Sequence, residues 1–425
     1  MSNTVPDNWN VLPLGSVIKQ VIDFRGRTPK KLGMEWGGGN IRALSANNVQ
    51  MGRVDFNKEC YLASDELYDK WMTKGTTEVG DILFTMEAPL GNIALVPNDD
   101  RYILSQRVIL LKNDKSKASS DFLFQQLRSD SFQDTLRENA TGTTAQGIQQ
   151  KRLVTLDVVL PPLPEQQKIA KILTSVDEVI EKTQAQIDKL KDLKTGMMQE
   201  LLTQGVGIDG KPHTEFKDSP VGRIPKAWNC VTLKNLSKRI TDGTHQTVKT
   251  SPDGTIPFLY VSCVRDGNID WEKASFLTEE MYELASKGRK PENGDILYTA
   301  VGSYGHAAIV SGDNRFSFQR HIAFIQPNHE KIDSEFLVSF LNSPLGKKQA
   351  DLYAIGNAQL TVTLGDLGKF KVALPDIAEQ QRIAKIFNGI DNRIIVVQRK
   401  LTSLGNTKKA LMQDLLTGKV RVAID

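Results

Sequence analysis

The sequence predicts an α+β protein built twice: two similar domains, each a mixed sheet with helices, separated by two long antiparallel coiled-coil helices under an internal pseudo-twofold repeat. Three observations predict it. The stretch from Leu163 to Thr203 recurs 214 positions later, from Ile377 to Thr417, with no residue gained or lost. Both copies carry apolar residues at alternating steps of four and three, the spacing of a coiled-coil seam. Each copy also closes a longer segment that is itself a degraded repeat. The resulting order is a first variable domain (1–160), a first long helix (161–204), a linker (205–224), a second variable domain (225–374), a second long helix (375–418) and a short extended tail (419–425).

Within the variable domains, Val79–Thr85, Ile93–Val96 and Arg107–Leu111 have the composition of short strands separated by polar turns, and their counterparts have the same pattern. Gly80-Asp81-Ile82-Leu83 answers Gly294-Asp295-Ile296-Leu297, and Gly91, Ala94 and Gly142 answer Gly305, Ala308 and Gly356. Trp9 and Leu14 pair with Trp228 and Leu233 at a slightly larger offset. Helical spacing follows over Ser120 to Arg137 and over Ser334 to Leu352. Strand order, parallel or antiparallel, is not encoded in this pattern.

The long helices begin behind prolines, at Leu160-Pro161-Pro162-Leu163-Pro164-Glu165 and Leu374-Pro375-Asp376-Ile377-Ala378-Glu379, with acidic residues favourably placed in the first turn. In the first, the seam runs Ile169, Leu173, Val176, Ile180, Thr183, Ile187, Leu190, Lys194, Met197, Leu201. In the second it runs Ile383, Phe387, Ile390, Ile394, Val397, Leu401, Leu404, Lys408, Leu411, Leu415. Lys194 and Lys408 interrupt both seams at one equivalent point. About 39 helical residues span roughly 58 Å. The nearest partner for each seam is the other copy, and topology makes that pairing antiparallel. Glu165, Gln166, Gln167 and their repeats Glu379, Gln380, Gln381 serve either as partner-binding groups or as helix caps.

Composition sets bounds. The chain of 425 residues, 40% hydrophobic and 24% charged, is ordinary for a globular protein and long enough for two cores. Three scattered cysteines without CxxC spacing imply neither disulfides nor a zinc site, and fit a reducing cytoplasm. No leader pattern or apolar run of membrane-spanning length is present. A formal net charge of +4 says little about nucleic acid, so any phosphate attraction must be local or come from an associated subunit.

Loops that differ on a common frame are where ligand selection resides. Asp23 to Lys31 corresponds to Thr241 to Lys249, and both loops are basic and rich in hydrogen-bonding groups. Arg25, Arg27, Thr28, Lys30 and Lys31 in the first, and Thr244, His245, Gln246 and Lys249 in the second, are candidate DNA-binding residues; the alternative is a solvated basic loop. Arg107 and Arg320, each after a glutamine, are further candidates, or structural ties to a carboxylate. Gly205-Val206-Gly207-Ile208-Asp209-Gly210-Lys211 matches a nucleotide-binding glycine pattern but follows a helix where a strand is required, so nucleotide binding is rejected. No histidine spacing marks a metal site, and no catalytic set recurs in the two halves.

These features resemble one family across essentially the whole chain: the specificity subunit of bacterial type I restriction–modification enzymes. The Leu-Pro-(x)3-Glu-Gln-Gln-(x)-Ile-Ala-Lys-Ile form of the first helix start and its near-copy at Leu374, each behind its own Gly-Asp-Ile-Leu strand, carry the resemblance. The resemblance implies two target-recognition domains, each reading half of a bipartite DNA site, with the paired helices as spacer between them. Two unlike domains imply an asymmetric target. It implies a chain without catalysis of its own, acting in the cytoplasm in host defence with two methylation subunits and with restriction subunits. S-adenosylmethionine, ATP and Mg would act through those other subunits, and none in this chain. Half-sites read on one face of B-DNA lie about 34 Å apart, a distance a rod of this length can hold. The first domain departs at Ile41-Arg42-Ala43-Leu44, where the second has the more typical Ile256-Pro257-Phe258-Leu259.

Overall fold

The computed structural model describes residues 5–142, 145–207 and 211–424. Ile208, Asp209 and Gly210 of the glycine pattern lie outside the described residues. The chain forms two compact units, one made of 1–184 with 399–425 and the other of 185–398. The divisions fall at equivalent points of the two long helices, so each unit contains one variable domain, the start of the helix that follows it and the end of the other helix.

In the first unit the main sheet is antiparallel, in the order Ile18–Asp23, Val108–Asn113, Ile82–Thr85, Ile93–Leu95. A second sheet places Ile41–Leu44 between Tyr61–Ala63, antiparallel, and Tyr102–Leu104, parallel. Asn10–Pro13 pairs with Asp157–Leu160, bringing the start of the domain beside its end. The second unit repeats each arrangement. Its main sheet runs Ser237–Asp242, Ile322–Pro327, Ile296–Thr299, Ala307–Ile309. Its mixed sheet sets Ile256–Leu259 between Ser275–Leu277 and Ser317–Phe318, and Asn229–Thr232 pairs with Lys371–Leu374. Each domain thus divides its strands between two principal sheets, where the sequence pattern suggested one.

The repeated Gly-Asp-Ile-Leu has a local cause. Gly80 and Gly294 take left-handed φ of +82° and +90°, which glycine adopts without steric cost. The next residue then accepts a turn hydrogen bond: Asp81 Oδ2 from the Glu78 amide at 2.9 Å, and Asp295 Oδ2 from the Glu292 amide at 2.8 Å. The strands consequently begin at Ile82 and Ile296 rather than at Val79 and its counterpart.

The helical segments after the main sheet also differ from expectation. Each is two helices: Ser120–Arg128 then Asp130–Glu138, and Ser334–Asn342 then Pro344–Tyr353. The break is a serine in extended conformation. Ser129 Oγ accepts from the Phe132 amide, and Ser343 Oγ accepts from the Gly346 amide, each capping the second helix. Continuous apolar spacing concealed the break because both helices face one core.

The long helices are Leu163–Gln204 and Ile377–Leu415. Within each unit they run antiparallel. Lys408 meets Asp177 and Arg421 meets Glu165 in the first unit; Lys194 meets Asp391 and Gly207 meets Glu379 in the second. The first unit's core joins Trp9, Ile109, Phe122, Ile169 and Leu173 to Leu415 and Leu416 from the end of the second long helix. The second unit's core joins Trp228, Phe336, Ile383 and Phe387 to Met198 and Leu202 from the end of the first. The region between the helix and the second domain is more than a linker, because Phe216–Ser219 and Gly222–Pro225 form a hairpin there.

Candidate functional site

Register decides which loops meet. In the first unit Asp23 lies opposite Ile109, so the loop from Phe24 and the turn holding Arg107 occupy the same end of the main sheet. Val108 lies opposite Thr85, which adds the loop from Met86 to Gly91. The Met86 amide donates to Arg107 O at 2.8 Å, the Ile148 amide donates to Met86 O at 3.0 Å, and Glu87 and Thr141 both bridge to Gly147. The second unit builds the same row. Thr244 bridges to Gln319, the Ala300 amide donates to His321 O at 2.9 Å, the Val362 amide donates to Ala300 O at 2.8 Å, and Val301 and Ile355 both bridge to Thr361. A continuous line of backbone contacts therefore runs from the candidate loop to a terminal hairpin in each domain.

The candidate side chains differ in how far they are committed within the protein. The Arg25 guanidinium clamps Asp23 through Nε and Nη2, at 2.7 to 3.1 Å. Burial alone would raise the Asp23 carboxyl, but the hydrogen bonds from Arg25 hold it below the usual carboxylate range. Arg27 binds the carbonyl of Trp71 and lies over the Phe24 ring at 5.0 Å. Thr28 Oγ1 accepts from the Lys31 amide, and Lys31 Nζ donates to Gly26 O at 2.6 Å. Lys30 is exposed. In the second domain Thr244 is buried and its hydroxyl accepts from the Gln246 amide, while exposed His245 contacts Asp242 at 2.6 Å. Gln246, Lys249 and Arg320 are exposed. Arg107 has a left-handed φ of +68° and pairs with Glu87 at 3.2 Å across the row.

The terminal hairpins are the part that sequence reasoning passed over. Their repeated glycines, Gly142 and Gly356, have φ of +105° and +118°, and a Cβ on either would sit 2.4 or 2.5 Å from a carbonyl oxygen across the turn. The signal was a glycine shared between halves inside otherwise unlike residues. Gly91 and Gly305 are explained by the same end of the sheet, since a Cβ there would strike Leu136 and Gln133, or Lys347.

At the helix starts, Glu165, Gln166, Glu379 and Gln380 are engaged with distant segments of this chain. Glu165 is fully buried; it accepts from Trp9 Nε1 at 3.1 Å and from Arg421 Nε and Nη2 at 2.7 and 2.8 Å. Glu379 accepts from Trp228 Nε1 at 2.9 Å, from the amides of Val206 and Gly207 at 3.0 and 2.8 Å, and contacts His213 Nε2. Each helix start thus holds its own domain's tryptophan and the segment that leaves the other helix. Gln166 and Gln380 are buried too. Their Oε1 atoms accept from the amides of Ser119 and Asp333, and their Nε2 atoms donate to Pro161 O and Pro375 O. Capping of the second helix comes instead from Asp376, which accepts from the Glu379 amide at 2.7 Å. Gln167 and Gln381 are exposed. The glycine pattern at Gly205 is an anion cradle whose anion is this chain's own carboxylate. Gly205 and Gly207 both have φ of +72°, and a Cβ on Gly207 would lie 1.6 Å from Lys211 O.

Along the seams, Ile169, Leu173, Ile187, Ile383, Phe387 and Ile394 are buried, and Val176, Ile180, Leu190, Ile390, Leu401 and Leu404 are half-buried. Lys408 Nζ lies 2.5 Å from Asp177, and Lys194 Nζ lies 2.6 Å from Asp391, so the two interruptions of the seam are reciprocal ion pairs. Asp177 and Asp391 occupy equivalent positions of the repeat, a pairing visible in the sequence once the lysines are asked for partners.

A duplicated α+β frame in which paired helices are constant and the loop clusters are unlike defines a class: a repeated scaffold that carries two different loop clusters. Residues 6–192 and 225–405 match the type I restriction modification DNA specificity domain, and the chain belongs to that family. It is 30% identical to the type I restriction enzyme MjaVIII specificity subunit of Methanocaldococcus jannaschii, over 98% of this chain and 94% of that one. It is 28% identical to the putative MjaX specificity subunit of the same organism, over 98% and 95%. The fold is shared with the crystal structure of a type I restriction–modification S subunit from M. genitalium, at a TM-score of 0.57 and 17% identity, covering 98% and 97% of the two chains. Among the described residues, no helix is long and apolar enough to cross a membrane.

Proposed function

We propose that this chain is the DNA-reading subunit of a cytoplasmic type I restriction–modification complex, in which each domain reads one half of an asymmetric bipartite target. The paired helices fix the gap between half-sites. The chain recruits two methylation subunits and restriction subunits and performs no catalysis itself; S-adenosylmethionine, ATP and Mg act through those partners. One observation carries the reading: the same row of loops is built twice at the same end of the main sheet, with unlike residues at its surface. Exposed Lys30, Lys249 and Arg320, together with the Arg27 guanidinium on the Trp71 carbonyl, supply local positive charge of the kind that attracts phosphates, while Arg25 and Arg107 are paired with Asp23 and Glu87. Exposed Gln246 has the donor and acceptor needed for an adenine edge.

The test is a map of methylated adenines in a genome that carries this chain, with and without it. The expected result is one two-part asymmetric motif with a constant gap that loses its methylation when the chain is removed. A palindromic motif, or an unchanged map, would contradict the proposal.

A further inference from the structure

The terminal hairpins differ in a way the frame does not require. In the second domain Leu352, Ile355 and Leu360 are 76%, 60% and 40% exposed. The residues 214 positions earlier, Glu138, Thr141 and Gln146, are also exposed and all polar. The second hairpin is firmly built: the Ile355 amide donates to Thr361 O at 3.0 Å, the Thr361 amide donates to Ile355 O at 2.8 Å, and the Gly302 amide donates to Leu360 O at 2.8 Å. Only glycine fits at Gly356 in the turn. Gln359 is exposed at its tip. The preceding helix adds Lys347 and Lys348, where the first domain has Gln133 and Asp134.

We propose that this hairpin is a base-selecting surface of the second domain, inserted in the major groove of its half-site, with Ile355 and Leu360 against thymine methyl groups and Gln359 on an adenine edge. The inference rests on the DNA-reading function proposed above. Three observations support this occupant over a protein. The hairpin ends the same row of backbone contacts that begins at the candidate loop Thr244–Lys249. The preceding helix carries exposed Lys348, a positive charge of the kind that contacts phosphate, while Lys347 Nζ is held at Tyr304 O at 3.1 Å. And a partner subunit that docks alike on both domains needs the same surface twice, whereas here the exposed side chains at Leu352, Ile355 and Leu360 have all changed character from Glu138, Thr141 and Gln146. Thymine methyls and the adenine N6/N7 edge are offered together only in the major groove, so the chemistry selects A·T pairs.

The experiment uses the full chain purified with its methylation subunits and selects bound sequences from a random DNA library. Three preparations are compared: wild type, the double variant Ile355→Thr with Leu360→Gln, which installs the first domain's residues, and Gln359→Ala. All three positions are exposed, and a thermal melt unchanged from wild type verifies folding. The proposal expects about a tenfold loss of discrimination at one or two A·T positions of one half-site, with the other half-site, the gap and retention of the methylation subunits unchanged. Identical consensus and discrimination in all three would overturn it. So would loss of the methylation subunits with the consensus preserved, which would assign the surface to a protein contact. If wild type itself selects no sequence, the failure belongs to the proposed function rather than to the hairpin.

Discussion

The two lysine–aspartate crossings of the helix pair are copies in sequence and unlike in surroundings. Asp177 receives Lys408 and, from its own domain, Arg128 Nη1 and Gln125 Nε2, each at 3.0 Å. Asp391 receives Lys194. The positions equivalent to Arg128 and Gln125 are Asn342 and Ser339, which reach elsewhere: Asn342 brackets Ala307 and Ser339 Oγ donates to Glu335 O. As a result the Lys408 side chain is 10% exposed and its partner 23%, against 20% and 39% for Lys194 and Asp391. One repeat motif has become a buried network in the first unit and has stayed a half-solvated ion pair in the second. Repetition preserved the register, and each domain then determined how much the crossing matters to stability.

The helix junctions sharpen the same comparison and should give the largest effects. Glu379→Ala would strand a buried indole N–H, two backbone amides and His213, and should cost about 3–5 kcal/mol by the magnitude for breaking a buried charged network. Glu165→Ala should cost less, because Arg421, whose side chain is 43% exposed, can return to water. Denaturant unfolding of both variants tests the order; equal losses would mean that the cradle of amides around Glu379 adds nothing.

Next come the crossings themselves. Asp177→Ala leaves Lys408 and Arg128 facing each other without a counter-charge and should cost about 3 kcal/mol. Asp391→Ala should cost about 1 kcal/mol or less. Hydrogen exchange should locate the first loss in 163–184 and 399–415, and comparable exchange changes in the two variants would erase the distinction.

The pH dependence follows from the same groups. Burial opposes ionisation of Asp177, but Arg128, Lys408 and Gln125 more than offset it, and its carboxyl lies below the ordinary range in the folded chain. Its stabilising contribution is therefore complete above the unfolded carboxylate pKa of about 4 and is lost as pH falls below it. Lys408 is shifted down, first by burial and then by Arg128, against the pull of Asp177. The unfolded chain holds that proton more tightly, so the Lys408 contribution to stability rises with pH toward about 10.4. Asp177→Asn should flatten the acid limb of the stability curve followed by denaturant unfolding, and an unchanged limb would contradict this account of the pair. A smaller effect follows for Lys408→Met, which removes a buried ammonium while Arg128 still pairs Asp177. It should be neutral or stabilising by about 1 kcal/mol, and a loss of several kcal/mol would contradict the burial argument.

What was legible in the sequence was whatever repeats or has a period. The long helices, their phase and the Gly-Asp-Ile-Leu strands could be placed because each is a local signal written twice. The candidate loops were legible as positions but not as conformations. Arg25, Arg27 and Lys31 are tied to Asp23, the Trp71 carbonyl and Gly26, contacts that depend on how the loop turns. Glu165 and Gln166 were visible as a motif, yet their work is to join segments 156 and 47 positions away in sequence. The hairpins at Gly142 and Gly356 escaped because their neighbours in the row come from distant strands, and register, which no single segment encodes, assembles them.

In the function proposed for this chain, constant helices set distance while unlike loops set sequence. The most direct test inserts one heptad into each long helix, after residues 186 and 400, preserving the seam phase while lengthening each helix by about 10.5 Å. Selection of DNA targets by the resulting complex should return the same two half-sites with a gap longer by about three base pairs, at 3.4 Å per step. The original gap, or altered half-sites at an unchanged gap, would contradict the account.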